Sequence, residues 1–142
     1  MKPPRVYVAH PVTCYGTEHE ARSLAALRLL LPHCELLDPS QLYASAEHWL
    51  RAWPKVLLTL AGLVVFGAED CSIGAGCVRE LSDALAMGVA VVGFDGEQLR
   101  EIDGLRLFAL PWRDRSRVGT LVLGPVFEPS ALFPTDFDGA VR

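Results

Sequence analysis

The chain has no asparagine, no Cys-x-x-Cys pair, no run of basic residues and no long apolar stretch. Each absence closes off a class of function. Zinc ribbons and dithiol redox centres need closely spaced cysteines. Here Cys14, Cys34, Cys71 and Cys77 form no such pair, so they read as buried free thiols of a reducing compartment. Lys and Arg total 13 against 17 Asp and Glu, a formal net charge of −4. A protein that grips a nucleic-acid backbone presents a basic face, so no nucleic-acid partner is expected. No segment approaches the roughly 18 apolar residues of a membrane span. Met1-Lys2-Pro3-Pro4-Arg5 leads straight into a strand-like segment, without the apolar core and cleavage site of a signal peptide. The expectation is a cytoplasmic protein with no membrane partner.

The 142 residues, 51% hydrophobic and 21% charged, suit one globular domain spanning residues 1–142. Arg5 to Ala9 reads as a short buried strand, and His10 to Gly16 as a loop. Thr17 and Glu20 have capping-box spacing at the head of a helix carrying Leu24, Leu27, Leu30 and Leu31, which Pro32 ends. Glu35 to Leu37 is a second strand, stopped by Asp38-Pro39. Ser45 caps a helix with Trp49, Leu50 and Trp53; Pro54 is expected to break it and to open a second short helix reaching Leu60. Gly62 to Phe66 is the clearest strand. A turn-rich loop runs from Gly67 to Gly76, a helix from Cys77 to Met87 before the terminator Gly88, and a strand from Val89 to Phe94. Leu105 to Leu110 and Thr120 to Leu123 are further strand candidates. Pro125 to Arg142 reads as an irregular C-terminal arm.

Strand and helix alternate, and the strands lack polar alternation. Both features predict an α/β fold: a flavodoxin-like or Rossmann-like doubly wound, mostly parallel sheet of order about 2-1-3-4-5. Ligands of such sheets bind beyond the carboxyl ends of the strands, where strand order reverses. That crevice lies between the first and third strands, under the His10–Gly16 and Gly67–Gly76 loops. Ser72-Ile73-Gly74-Ala75-Gly76 joins a strand to a helix, where free amides and the positive dipole end welcome an anion. No Gly-Lys-Ser/Thr follows, so it is not a nucleotide P-loop, and Glu80 stands where a dinucleotide fingerprint would be completed by a third glycine. Glu80 is expected in the first turn of the helix, kept ionised by its dipole and able to act as a nucleophile or base. A plain strand-to-helix turn with a favourable first-turn Glu is the competing interpretation. His10 is expected to face the crevice and meet a phosphate or sugar hydroxyl. His10, Cys14 and His19 lack zinc-like spacing, so no metal is expected, and no cofactor. Trp49 and Trp53 read as core or interface residues rather than a base-stacking platform.

Val6-Tyr7-Val8-Ala9-His10-Pro11, Gly62-Leu63-Val64-Val65-Phe66, the Gly-rich loop after it and Arg79-Glu80-Leu81-Ser82-Asp83-Ala84-Leu85-Ala86-Met87-Gly88-Val89-Ala90-Val91-Val92 together resemble the nucleoside 2-deoxyribosyltransferase family and the related deoxynucleoside 5′-monophosphate N-glycosidases. The resemblance covers residues 5 to about 94. It implies that Glu80 is the nucleophile, that Tyr7 holds its carboxylate, and that Asp70 or Glu69 protonates the leaving base. It further implies that His10, Pro11, Ser72, Gly74 and Gly76 bind the substrate, a small-molecule nucleoside or nucleotide. Asp136-Phe137-Asp138-Gly139-Ala140-Val141 resembles the arm that reaches a neighbouring subunit's site in some transferases. The family resemblance also implies a homo-oligomer, a dimer or larger, with Trp49, Trp53, Phe127, Phe133 and Phe137 as apolar surface.

The departures are definite. The loop before Glu80 is about two residues longer than in the N-glycosidases, Ser82 replaces a glycine, and Trp53-Pro54-Lys55 stands where the family carries an acid. The transferases' substrate-binding asparagine has no counterpart. The resemblance implies an N-glycosidic hydrolase or deoxyribosyltransferase acting through Glu80; the alternative is a non-catalytic nucleotide or nucleotide-sugar binding module on the same fold.

Overall fold

The computed structural model describes residues 2–102, 107–109 and 121–123. The Pro125–Arg142 arm, with Phe127, Phe133 and Phe137, lies outside the described residues. Among them the elements run β1 (Arg5–Ala9), a 3₁₀ turn (Val12–Cys14), α1 (Glu18–Leu30), β2 (Glu35–Leu37), α2 (Pro39–Leu42), α3 (Ala46–Leu57), β3 (Gly62–Val65), β4 (Ser72–Ile73), α4 (Ala75–Ala86), β5 (Ala90–Phe94), β6 (Leu99–Glu101), β7 (Leu107–Ala109) and β8 (Leu121–Leu123).

The fold is α/β, with a mostly parallel five-stranded sheet of order β2-β1-β3-β5-β6. β1 pairs in parallel with β2 and β3, and β3 with β5. Tyr7 lies opposite Leu37 on one side and Leu63 on the other. The expected strand order holds for the first four strands of this sheet. The fifth position is different: β6 fills it as the antiparallel arm of a hairpin with β5. Asp95 makes that turn by accepting from the Glu97 and Gln98 amides, which brings the chain straight back and leaves no room for a crossover. The candidate strand at residues 105–110 instead supplies β7, in a second sheet of order β4-β7-β8.

Successive side chains of a strand point to opposite faces, and that period of two divides the apolar strands between two cores. Tyr7 and Ala9 of β1, with Leu63 and Val65 of β3, pack against Trp53 and Leu57 of α3 and Val78, Leu81 and Ala84 of α4. Val6, Val8, Val64 and Phe66 pack against Leu24 and Leu27 of α1 on the other face. Both faces are covered, which is why these strands carry no polar alternation.

Two helices differ from expectation. α3 continues through Pro54 to Leu57. Trp49, Trp53 and Leu57 lie four residues apart on one stripe, and the burial of Trp53 and Leu57 on both sides of the proline holds the helix in one piece. α4 starts at Ala75, capped by Gly74, two residues earlier than the sequence suggests. Glu80 is thus in the second turn, not the first.

Candidate active site

The carboxyl ends of β1 and β3 open onto the residues with chemical potential. Glu80 projects from α4 and is 4% exposed. Its Oε2 accepts two hydrogen bonds, one from the Tyr7 hydroxyl of β1 and one from Trp49 Nε1 of α3 at 3.0 Å. Oε1 has no hydrogen-bond partner among the described residues. One oxygen is therefore held by donors from two other elements, β1 and α3, while the other is left unbonded among the described residues. Tyr7 lies against Trp53, with ring centroids 4.8 Å apart, so its hydroxyl has little freedom to swing away.

The helix pair is tied twice. Trp53 Nε1 donates to Asp83 Oδ2 at 2.9 Å, and Arg79 Nε donates to the same oxygen at 3.0 Å. Two tryptophans one turn apart on α3 thus donate to two acids about one turn apart on α4. Tryptophan suits this task because a buried indole must place its N–H on an acceptor.

Burial pushes the Glu80 carboxyl up to about 7, against the opposing pull of the Tyr7 and Trp49 hydrogen bonds, with Asp83 adding to the rise. The expectation of a carboxylate kept ionised by the helix dipole fails, because the second turn is buried and beyond the dipole's short reach. Burial and the Glu80 charge drive the Tyr7 hydroxyl far above its ordinary range, so Tyr7 remains the donor. The Tyr43 hydroxyl is buried near that of Tyr7, and burial pushes it up to about 12, against the opposing pull of the Tyr7 hydroxyl.

Of the other catalytic and substrate-binding residues expected from the sequence, none has a side chain hydrogen-bonded to Glu80 among the described residues. Asp70 is exposed, and its Oδ1 accepts from the Ser72 amide at 2.9 Å across a tight turn in which Cys71 adopts a φ of 69°. Its bonds with Ser72 hold its carboxyl below the usual range, the opposite of what a proton donor needs. Glu69 is exposed and lies 3.6 Å from Arg22. Ser72 is buried in β4 and engaged with Asp70, so its hydroxyl is not presented to a phosphate. Gly74 and Gly76 do flank the α4 N-terminus, with open space around the position of a side chain at Gly74. Pro11 is buried at the start of the 3₁₀ turn.

His10 does not face the crevice as an open group. It is 2% exposed and stacks on Phe66 with centroids 4.6 Å apart and 10° between planes. Its Nδ1 is 2.8 Å from the Val8 carbonyl and its Nε2 is 2.7 Å from Glu20 Oε2. Both nitrogens are occupied within the chain. Glu20 explains the difference. Its amide takes the Thr17 hydroxyl as the capping-box spacing predicts, but its carboxylate turns to His10 and to the Gly16 amide instead of Thr17. Asp38 Oδ1 lies 3.8 Å from His10 Nε2. Glu20, Asp38 and Tyr43 were not legible as site residues, since two of them read as capping or strand-ending residues and Tyr43 belongs to no motif. Trp49 had a signal, an indole N–H that burial obliges to find an acceptor.

No protein-family model, no curated protein and no solved structure matches this chain. Among the described residues, no helix is long and apolar enough to cross a membrane.

Proposed function

We propose that the protein cleaves or exchanges the N-glycosidic bond of a deoxynucleoside or deoxynucleotide, with Glu80 as the nucleophile. The observation that carries this reading is the Glu80 carboxylate itself: buried, fixed through Oε2 by Tyr7 and Trp49, and with Oε1 unengaged. In the reaction, Oε1 attacks the anomeric carbon, the bond from that carbon to the base nitrogen breaks, and the base departs with the bonding pair and takes up a proton. The resulting glycosyl ester is released by water, which completes hydrolysis, or by a second base, which completes transfer. The displacement is thereby split into two easier ones. Donors held on Oε2 keep the carboxylate in line without blocking the attacking oxygen. The proton for the base comes from solvent at the crevice, since Asp70 is committed to Ser72.

The test is to incubate the full chain with deoxynucleosides and deoxynucleoside 5′-monophosphates, with and without an acceptor base, and to follow free base by chromatography. Base release by the wild type and its loss, by about 10³-fold or more, in Glu80→Gln is the expected result. The rate should rise with pH through about 7, because only the ionised carboxylate attacks. A wild type that binds these compounds and releases no base would instead make the crevice a binding module.

A further inference from the structure

A second cluster of chemically able groups lies apart from Glu80. His10 follows β1, Asp38 follows β2, and Glu20 is the third residue of α1. The topology brings these positions together because β1 and β2 are parallel neighbours whose carboxyl ends both meet the start of α1. One ligand atom from each of the three lies within 4.8 Å of the others.

The orientation of His10 decides what the cluster can hold. Nδ1 faces the Val8 carbonyl at 2.8 Å, so Nδ1 carries the hydrogen and donates it. In the neutral ring Nε2 then presents a lone pair, and it presents it to two carboxylates at 2.7 and 3.8 Å. Three electron-pair donors converging in this way suit a positive species among them. A proton on Nε2 meets Glu20 but leaves the Asp38 carboxylate, whose Oδ1 accepts from the Ser40 amide and hydroxyl, with no cation beside it. A divalent ion cancels both carboxylate charges.

We infer that His10 Nε2, Glu20 and Asp38 bind one divalent transition-metal ion. Ligand atoms held at about 2.0–2.2 Å from a common ion sit roughly 3.0–3.5 Å apart; the His10–Glu20 and His10–Asp38 separations, 2.7 and 3.8 Å, fall on either side of that span, and all three atoms lie within 4.8 Å of one another. Each ligand also has the outer partner that metal sites use for orientation: the Val8 carbonyl for His10, the Gly16 amide for Glu20 and the Ser40 amide for Asp38. Phe66 stacks on the imidazole and keeps water from its face. One imidazole with two carboxylates favours Zn²⁺ or Mn²⁺ over Mg²⁺, which prefers an all-oxygen shell and sheds water reluctantly. Three protein ligands leave a coordination position for water or a ligand oxygen. The inference stands apart from the role of Glu80.

Chelator-treated full-length protein should be titrated with MnCl₂, ZnCl₂ and MgCl₂ by calorimetry. Mn²⁺ is the deciding probe, because thiolates compete poorly for it. One Mn²⁺ per chain is expected, with Mg²⁺ binding more weakly. Glu20→Gln and Asp38→Asn should each weaken Mn²⁺ by about tenfold or more while leaving circular dichroism unchanged, since both replacements keep an oxygen for the Gly16 and Ser40 amides. Absence of saturable Mn²⁺ binding, or binding that both variants retain, overturns the inference. So does a ¹⁵N spectrum in which both His10 ring nitrogens stay protonated under saturating Zn²⁺, for then a proton holds the three groups together.

Discussion

At the scale of single residues, the Glu80 carboxyl is governed by two opposing effects. Burial favours its neutral form, and the Tyr7 and Trp49 donors favour its charged form, with burial the larger. Removing one donor while keeping the ring separates them. Trp49→Phe deletes the Nε1–H that reaches Oε2 at 3.0 Å and leaves an aromatic side chain in place. A hydrogen bond to a charged group contributes about 1.5–3 kcal/mol, so the midpoint of the pH–rate profile should rise by about one pH unit or more. If the midpoint stays where the wild type has it, Trp49 packs against the site without tuning it.

At the scale of elements, α3 carries a proline that its own chain would not choose. Pro54 has no N–H for the Leu50 carbonyl, and its side chain is exposed, so nothing in the core depends on the ring. Replacing it with alanine restores a helix bond worth up to about 3 kcal/mol, against about 1 kcal/mol for the added freedom of the unfolded chain. Pro54→Ala is expected to stabilise the protein by about 2 kcal/mol, read as a higher midpoint in urea with an unchanged slope. A lower midpoint would mean that a bend at Pro54 is needed to bring Trp49 and Trp53 onto α4. The expectation of a break at Pro54 rested on local cost alone. Trp53 and Leu57 fall on either side of the proline, and their shared burial against β1, β3 and α4 outweighs that cost.

At the scale of the whole molecule, stability depends on pH through Glu80. Its folded value of about 7 lies above the ordinary 4.5, so the folded state binds more protons than the unfolded chain between those limits. The contribution is fully present below about 4.5 and is lost as pH rises through about 7. Across that window Glu80→Gln should gain roughly 3 kcal/mol on the wild type, since the amide has no charge to bury. Urea unfolding of both proteins at pH 5 and pH 8 measures this directly. A stability difference that does not change with pH would mean that the carboxyl is solvated in the folded state.

The sequence by itself determined the α/β class, the first four strands of the main sheet with their order, and the pairing of two apolar faces. Val6, Tyr7, Val8 and Ala9 are buried on both sides of β1, and an unbroken apolar strand has no other stable place than the middle of a covered sheet. The same sequence marked Tyr7 and Glu80, 73 residues apart, and they meet. What only the tertiary structure decided was the set of partners around them. Whether Glu20 closes a capping box or turns to His10, whether Asp70 faces a crevice or caps the Ser72 turn, and which acceptor each indole N–H finds are long-range choices among nearly equal local ones. Local chemistry offers each of these groups a satisfactory partner within a few residues. The packing of α1, α3 and α4 on the sheet brings competing partners within hydrogen-bond distance, and in a buried crevice the bond to a charged or fully enclosed group is the stronger.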